Sequence, residues 1–163
     1  MKLSGWCALP GALGLALGLF GLTGCESKGT FAADCRAVPT GIANPNGTLT
    51  ATIDTPLSVK TGTTFTLTVD EIGSQDAVVN DPPDADAAAI NISGGASPNG
   101  DISIGSLSTP AVFPWTRTIT VTGQPGSKID ISLVSGAQIA GIFAVICTPK
   151  TTPAKLVSID ITA

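Results

Sequence analysis

Two segments of this chain alternate polar and apolar residues with a period of two, and this pattern constrains the fold most. They are residues 48–53 and 64–69, in which threonine fills most polar positions. Such alternation, with β-branched residues on the polar face, is typical of a strand that buries one side. Further segments of strand character follow, separated by Gly, Pro and Asn: residues 88–92, 101–107, 115–122, 128–134, 139–147 and 156–161.

No segment after residue 25 has a convincing helical period. About eight short strands with turn signals between them predict an all-β fold, an antiparallel two-sheet sandwich. The parity of the strands predicts its core: Leu49, Ala51 and Ile53; Phe65, Leu67 and Val69; Trp115, Ile119 and Val121; Ile129, Ile131 and Leu133. Residues 139–146 are apolar on both faces, which predicts a central strand.

The strand pattern resembles the immunoglobulin-like sandwich class, at the level of pattern alone. True immunoglobulin domains pair two cysteines on facing strands and place a tyrosine two residues before the second. Here Cys35 and Cys147 bracket nearly the whole domain, position 145 is Val, and the chain has no tyrosine. The resemblance implies an Ig-like sandwich, without family membership and without a function.

The first 25 residues have the organisation of an export signal. Lys2 is the only charged side chain before Glu26, an apolar run follows it, and small residues precede Cys25. A basic start, an apolar stretch and a small-residue processing site predict a cleaved signal peptide over residues 1–24, helical while it is present. The alternative is an uncut transmembrane helix over residues 3–24, because about 20 apolar residues cross a bilayer.

The four residues Leu22-Thr23-Gly24-Cys25 resemble the lipobox of bacterial lipoproteins. The resemblance covers only the signal and its cleavage site. It implies that the Cys25 sulfur carries a diacylglycerol, that a signal peptidase cuts before Cys25, and that the new amino group often receives an acyl chain. Because two or three acyl chains anchor a protein stably, the membrane becomes a partner. The implied location is the extracytoplasmic face of a cell membrane, periplasmic or at the cell surface; an ordinary cysteine after an ordinary signal cut is the alternative.

The four cysteines of the chain can then be assigned. Cys7 leaves with the signal and Cys25 is used by lipid, so Cys35 and Cys147 remain. Such a pair in an exported protein predicts one disulfide, worth roughly 4 to 5 kcal/mol for a loop of this length in the chain-entropy model. A pair of soft metal ligands is the alternative, but it needs partners, and the chain has no histidine and a single methionine.

The mature chain divides into two parts by composition. Residues 25–34 show neither period, which predicts a lipidated tether, and residues 35–163 form a single β-sandwich domain. From Cys25 to Cys35 the chain reaches at most about 35 Å, so the domain is expected to sit close to the membrane. The net charge of −4 disfavours nucleic acid and anionic lipid surfaces as partners.

Catalysis has few residues to use. Without histidine there is no Ser-His or Cys-His pair, and the chain lacks a Ser-x-x-Lys spacing and a phosphate-binding loop. The sequence therefore predicts a protein that is not an enzyme. A small envelope enzyme that uses two carboxylates as acid and base is the alternative.

An acidic stretch over residues 70–86 provides candidate calcium ligands: Asp76, Asp81, Asp84 and Asp86. Calcium takes six to eight oxygen ligands, which closely spaced aspartates and loop carbonyls supply. The spacing does not match an EF-hand. A calcium-binding adhesion module is therefore one hypothesis, and a solvated loop whose charges protect the sheet edges is the other.

Trp115 and Arg117 form a candidate binding platform at a strand entry framed by prolines. The alternative is that Trp115 caps the core, because it shares the parity of Ile119 and Val121. Together these features predict a membrane-anchored exported lipoprotein, a binding or structural module without a resident cofactor unless calcium binds. Its ligand, an envelope protein or a glycan, is not specified by the sequence.

Overall fold

The computed structural model describes residues 4–6, 24–75, 85–140 and 143–163. They form twelve β-strands: β1 Ser4–Trp6, β2 Cys25–Val38, β3 Ala43–Thr55, β4 Ser58–Lys60, β5 Thr64–Gln75, β6 Ala87–Gly94, β7 Ala96–Ser97, β8 Gly100–Gly105, β9 Trp115–Val121, β10 Lys128–Ala140, β11 Phe143–Pro149 and β12 Ala154–Thr162. The described residues contain no helix, and hence none that is long and apolar enough to cross a bilayer. The all-β prediction is confirmed.

The strands form two layers that are joined through β10. One layer runs in the order β8-β6-β10-β12-β4, and the other runs β11-β2-β3-β5-β9-β7. The first half of β10 pairs with β12 and its second half with β11, so this long strand passes from one layer to the other. Every strand pairing is antiparallel except the one between β4 and β12. The antiparallel sandwich prediction therefore holds, with one parallel edge strand.

The core lies between the two layers. Leu156 of β12 lies against Gly29 of β2, and Leu49 of β3 lies against Gly136 of β10. The residues predicted from parity are buried with the exception of Trp115, which is partly buried against the same core. Strands β6, β8 and β12 complete it with fully buried isoleucines: Ile90, Ile92, Ile104 and Ile159.

Strand β2 contradicts the tether predicted over residues 25–34. These residues belong to a strand of 14 residues that pairs with β3 along most of its length. Its inward positions include Gly29, Phe31, Ala33 and Cys35. Because glycine and alanine are small, the alternation is nearly invisible as hydropathy. The tether prediction is wrong, because residues 25–34 belong to strand β2 of the sheet.

The central strand predicted over residues 139–147 is also wrong. Strand β10 ends at Ala140 and β11 begins at Phe143, and these two residues are opposite each other in an antiparallel pair. Ile139 is 41% exposed, although the prediction buried it. Gly141 is the one turn-favouring residue in this apolar run, and a single glycine is also found inside strands, so two strand ends resemble one strand.

The predicted signal peptide lies mostly outside the described residues. Ser4–Trp6 form the short strand β1, and they pair with Glu26–Lys28 of β2 instead of forming a helix. The remaining strands beyond the eight expected are β2 and the two- and three-residue edge strands β7 and β4. Strands of that length are too short to show a period in the sequence.

Candidate functional site

Cys25 is the first residue of β2, and it lies opposite Thr55, the last residue of β3. Its side chain is 6% exposed. In this structure of the full chain its sulfur is part of a disulfide, and the other half of that bond lies outside the described residues. One sulfur cannot form a disulfide and a thioether at once, so the lipid anchor and this bond exclude each other.

A groove of about 510 Å³ opens beside Cys25. Gly24, Asp54, Thr55, Pro56 and Phe65 contribute to its lining, together with threonines of β5 and β9: Thr64, Thr66, Thr68 and Thr118. These positions face outward because their neighbours Phe65, Leu67 and Ile119 fill the core. The lining offers hydroxyl groups and a carboxylate, which suits hydrogen bonding to a polar group.

Three carboxylates surround the start of β2. Glu26 lies opposite Asp54 across the strand pair, and Asp70 follows on β5. Burial raises the pKa of Asp70, and the negative charges of Asp54 and Glu26 raise it further. None of the three forms an ion pair with a described residue. Among the residues that the structure describes, these three carboxylates therefore have no ion-pair partner at this end of the sheet.

The acidic group was not predicted, because its members are far apart in sequence. Asp54 continues the outward parity of Thr48, Thr50 and Thr52, which marks it only as a surface residue. The register between β2 and β3 brings it opposite Glu26, and that register depends on recognising β2. Once residues 25–34 were assigned to a tether, the sequence offered no signal for the pairing.

The predicted disulfide between Cys35 and Cys147 is confirmed. The two residues are opposite each other on the neighbouring strands β2 and β11, with their α-carbons 4.0 Å apart, and both are buried. Gly47 of β3 lies next to this bond, and a Cβ at position 47 would overlap Cys35 Sγ. Glycine at this position thus leaves room for the sulfur.

Most of the candidate calcium ligands lie outside the described residues: Asp76, Asp81 and Asp84. Asp86 is described, and its Oδ2 accepts a hydrogen bond of 2.6 Å from the Ile139 backbone nitrogen. Its carbonyl oxygen accepts another from the Ala111 nitrogen at 2.6 Å. Asp86 thus connects the end of β10 to the loop before β9. Within the described ranges no three Cys, Asp or Glu side chains are grouped for a metal ion.

Trp115 and Arg117 occupy successive positions on one side of β9. Trp115 lies opposite Val69 and is partly buried against the core, whereas Arg117 lies opposite Leu67 and is exposed. The tryptophan therefore packs as a cap on the core edge. The Arg117 side chain is exposed to solvent.

Comparison of the chain with protein-family models, with curated proteins and with solved structures finds no match. The functional argument therefore depends on the residues of this chain. Its strongest elements are the position of Cys25 at the first residue of β2 and the acidic group around it.

Proposed function

We propose that the protein is an exported bacterial lipoprotein, anchored to a membrane through acyl chains on Cys25. Its β-sandwich is then a non-catalytic binding or structural module on the extracytoplasmic face of that membrane. The lipobox resemblance of Leu22-Thr23-Gly24-Cys25 supports the anchor. The absence of histidine from the sequence supports a role without catalysis.

One observation carries the proposal: strand β2 starts where the lipobox would place the mature N-terminus. Strand β2 begins at Cys25, and the residue before it, Gly24, is outside the strand. Cleavage between them would leave β2 to β12 whole. Among the described residues, it would separate Ser4–Trp6 from their pairing with Glu26–Lys28. A processing site at the edge of a fold is the arrangement that an exported precursor needs.

The same geometry describes how the domain would stand on the membrane. Because β2 has 14 residues in extended conformation, it spans about 45 Å from Cys25 to Val38. No linker separates the anchor from the sheet. The end of the sandwich that carries Cys25, Asp54 and the threonine-lined groove would face the lipid headgroups, and the Val38 end would point away.

Lipidation and the disulfide at Cys25 compete for one sulfur atom. In the lipoprotein pathway that the resemblance implies, diacylglycerol is attached at the membrane before the signal is removed. A thioether formed on Cys25 excludes a disulfide at the same sulfur. As the terminal residue of the processed chain, Cys25 can turn its side chain out of the sandwich while Glu26 keeps its register with Asp54.

Metabolic labelling with a fatty-acid probe tests the proposal, with Cys25→Ser as the variant and Cys7→Ser as the matched control. We expect label on the wild-type protein and on Cys7→Ser, and none on Cys25→Ser, because Cys7 belongs to the signal. Both labelled proteins should partition into the detergent phase. Label that persists on Cys25→Ser would place the lipid elsewhere and contradict the proposal.

A further inference from the structure

The carboxylate of Asp54 has an unsatisfied oxygen. Asp54 Oδ1 is shielded from solvent, and no described residue donates a hydrogen bond to it. An ionised oxygen in such a position is unfavourable unless a donor or a cation accompanies it. A second such atom, Thr55 Oγ1, is the next polar group along the chain. The end of β3 therefore has two buried polar atoms that form no hydrogen bond with a described residue.

The residue that covers this carboxylate is Gly24. A Cβ at position 24 would overlap both carboxylate oxygens of Asp54, so the glycine α-carbon lies directly against them. The Cys25 nitrogen is only one carbonyl carbon further along the chain. The register of the strand pair, with Glu26 opposite Asp54, holds this short segment in place. The proposed scissile bond, Gly24–Cys25, thus lies beside the unsatisfied oxygen.

The charges around this bond are negative. Glu26 and Asp70 flank Asp54, and the pKa of Asp70 is raised by burial and by both neighbours. Lys28 of β2 and Glu71 of β5 lie opposite Thr52, on either side of it, two residues along β3 from Asp54. Their opposite charges offset each other. Thr116 of β9 lies opposite Thr68 and shares its outward face. Arg117 is the next residue along the strand, so it lies on the opposite face of the sheet. A cation at the start of β2 would therefore be stabilised.

Hydrolysis of the Gly24–Cys25 amide supplies such a cation. Cleavage of this bond consumes one water molecule. The new carboxylate on Gly24 leaves with the signal peptide, and the new amino group remains on Cys25. At neutral pH the amine is protonated to a large extent. Departure of Gly24 also vacates the space over the Asp54 carboxylate.

We propose that the α-ammonium group of the processed Cys25 binds Asp54 and fixes the N-terminal residue to the end of β3. This inference rests on the proposed function, because it requires cleavage before Cys25. The ion pair exists only while the amino group is free. Addition of an acyl chain to that nitrogen forms an amide and removes the charge. Asp54 therefore binds the form of the anchor that carries only the two chains of the diacylglycerol, and not the form that carries a third chain on the nitrogen.

The pKa of the amino group is the direct readout. A nearby carboxylate favours the protonated amine and raises its pKa above the ordinary value of about 7.7 to 8.0. A shift of one pKa unit makes the neutral, reactive amine roughly tenfold scarcer near pH 7. Mature protein purified in detergent is labelled with an amine-specific acylating reagent, and the modified N-terminal peptide is quantified by mass spectrometry.

We expect the amino group of the wild-type protein to react three- to tenfold more slowly than that of Asp54→Asn at pH 7. The matched control is Asp34→Asn, because Asp34 is an outward carboxylate on the same strand that pairs with Lys150 at 3.5 Å. It should react at the wild-type rate. In urea the wild-type protein should lose its protection, which tests the ion pair without any substitution.

Equal rates in the wild-type protein and in Asp54→Asn, with no change in urea, overturn the inference and leave the lipid anchor untouched. An N-acylated Cys25 in the mature wild-type protein does the same. A mature chain that does not begin at Cys25 overturns both proposals, and the mass of the N-terminal peptide separates these cases.

Discussion

Asp130 illustrates how single side chains stabilise the outer face of the sandwich. Two β12 residues donate hydrogen bonds to it: Lys155 Nζ at 2.7 Å to Oδ2, and Ser158 Oγ to Oδ1. Burial raises the pKa of Asp130, but the hydrogen bonds and the charge of Lys155 lower it on balance. A folded pKa below the unfolded value means that this stabilisation is present above the unfolded pKa and is lost as the pH falls through the folded one.

We expect Asp130→Asn to lower the free energy of unfolding by about 1 kcal/mol at pH 7, the usual value of such a hydrogen-bonded pair. The loss should shrink below about pH 3.9, where the aspartate of the unfolded chain is itself protonated. Urea unfolding at both pH values measures it. Asp160→Asn is the control, because its ion pair with Lys128 is largely exposed and should contribute less. Equal losses in the two variants would contradict this interpretation of Asp130.

The pKa of Asp70 is shifted in the opposite direction from that of Asp130. Its pKa is raised by burial and by Asp54 and Glu26, so folding disfavours its ionised form. When the pKa of a group is higher in the folded state than in the unfolded state, the associated stability is fully present below the unfolded-state pKa. It is lost as the pH rises through the folded-state pKa. Ionised Asp70 therefore destabilises the unprocessed chain at neutral pH.

Asp70→Asn is accordingly expected to raise the thermal midpoint of the full chain at pH 7. The gain should vanish below about pH 3.9, where the wild-type side chain is protonated as well. Thermal unfolding followed by circular dichroism at the two pH values tests this, with Asp34→Asn as a control outside the acidic group. A lower midpoint for Asp70→Asn at pH 7 would show that its charge is compensated.

At this scale the sequence identified residues whose chemistry is local or countable. The Cys35–Cys147 bond followed from assigning the other two cysteines, and the structure confirms it. Asp54 gave no such signal. Its neighbour Gly24 is 30 positions away in the chain, and only strand register brings the two together.

Among the strands, β2 and β11 are joined covalently as well as by their ladder. The disulfide links residues 112 positions apart, so it restricts the unfolded chain strongly. We expect the double variant Cys35→Ala/Cys147→Ala to lose about 2 to 5 kcal/mol of unfolding free energy. Urea unfolding of the wild-type protein and of the double variant under the same non-reducing conditions measures this loss without affecting the disulfide at Cys25. A difference below about 1 kcal/mol would mean that native strain cancels the entropic gain.

Strand prediction succeeded where side-chain size alternates and failed where it does not. Strands β3, β5 and β9 place threonine outward and large apolar residues inward, so their period was visible. In β2 the inward residues include glycine and alanine, and the strand was assigned to a tether. Between β10 and β11 the apolar run contains a single glycine, Gly141, which is too weak a signal to predict the reversal.

For the whole molecule, composition and period gave the class of fold, whereas the connection of the layers did not follow from them. Strand β10 pairs with β12 over residues 128–133 and with β11 over residues 136–140, and nothing in its sequence marks the change of partner. This change of partner along β10 connects the two layers of the sandwich. It also leaves β2 to start at the end of the sandwich where Cys25, Glu26 and Asp54 meet.

The central claim is that this end of the molecule is anchored to a membrane through Cys25. The mass of the mature N-terminal peptide, isolated from membranes of the native host, tests it most directly. The account predicts a peptide that begins at Cys25 and carries diacylglycerol on its sulfur. A peptide that begins at Met1, or a Cys25 that is unmodified or held in a disulfide, would contradict it.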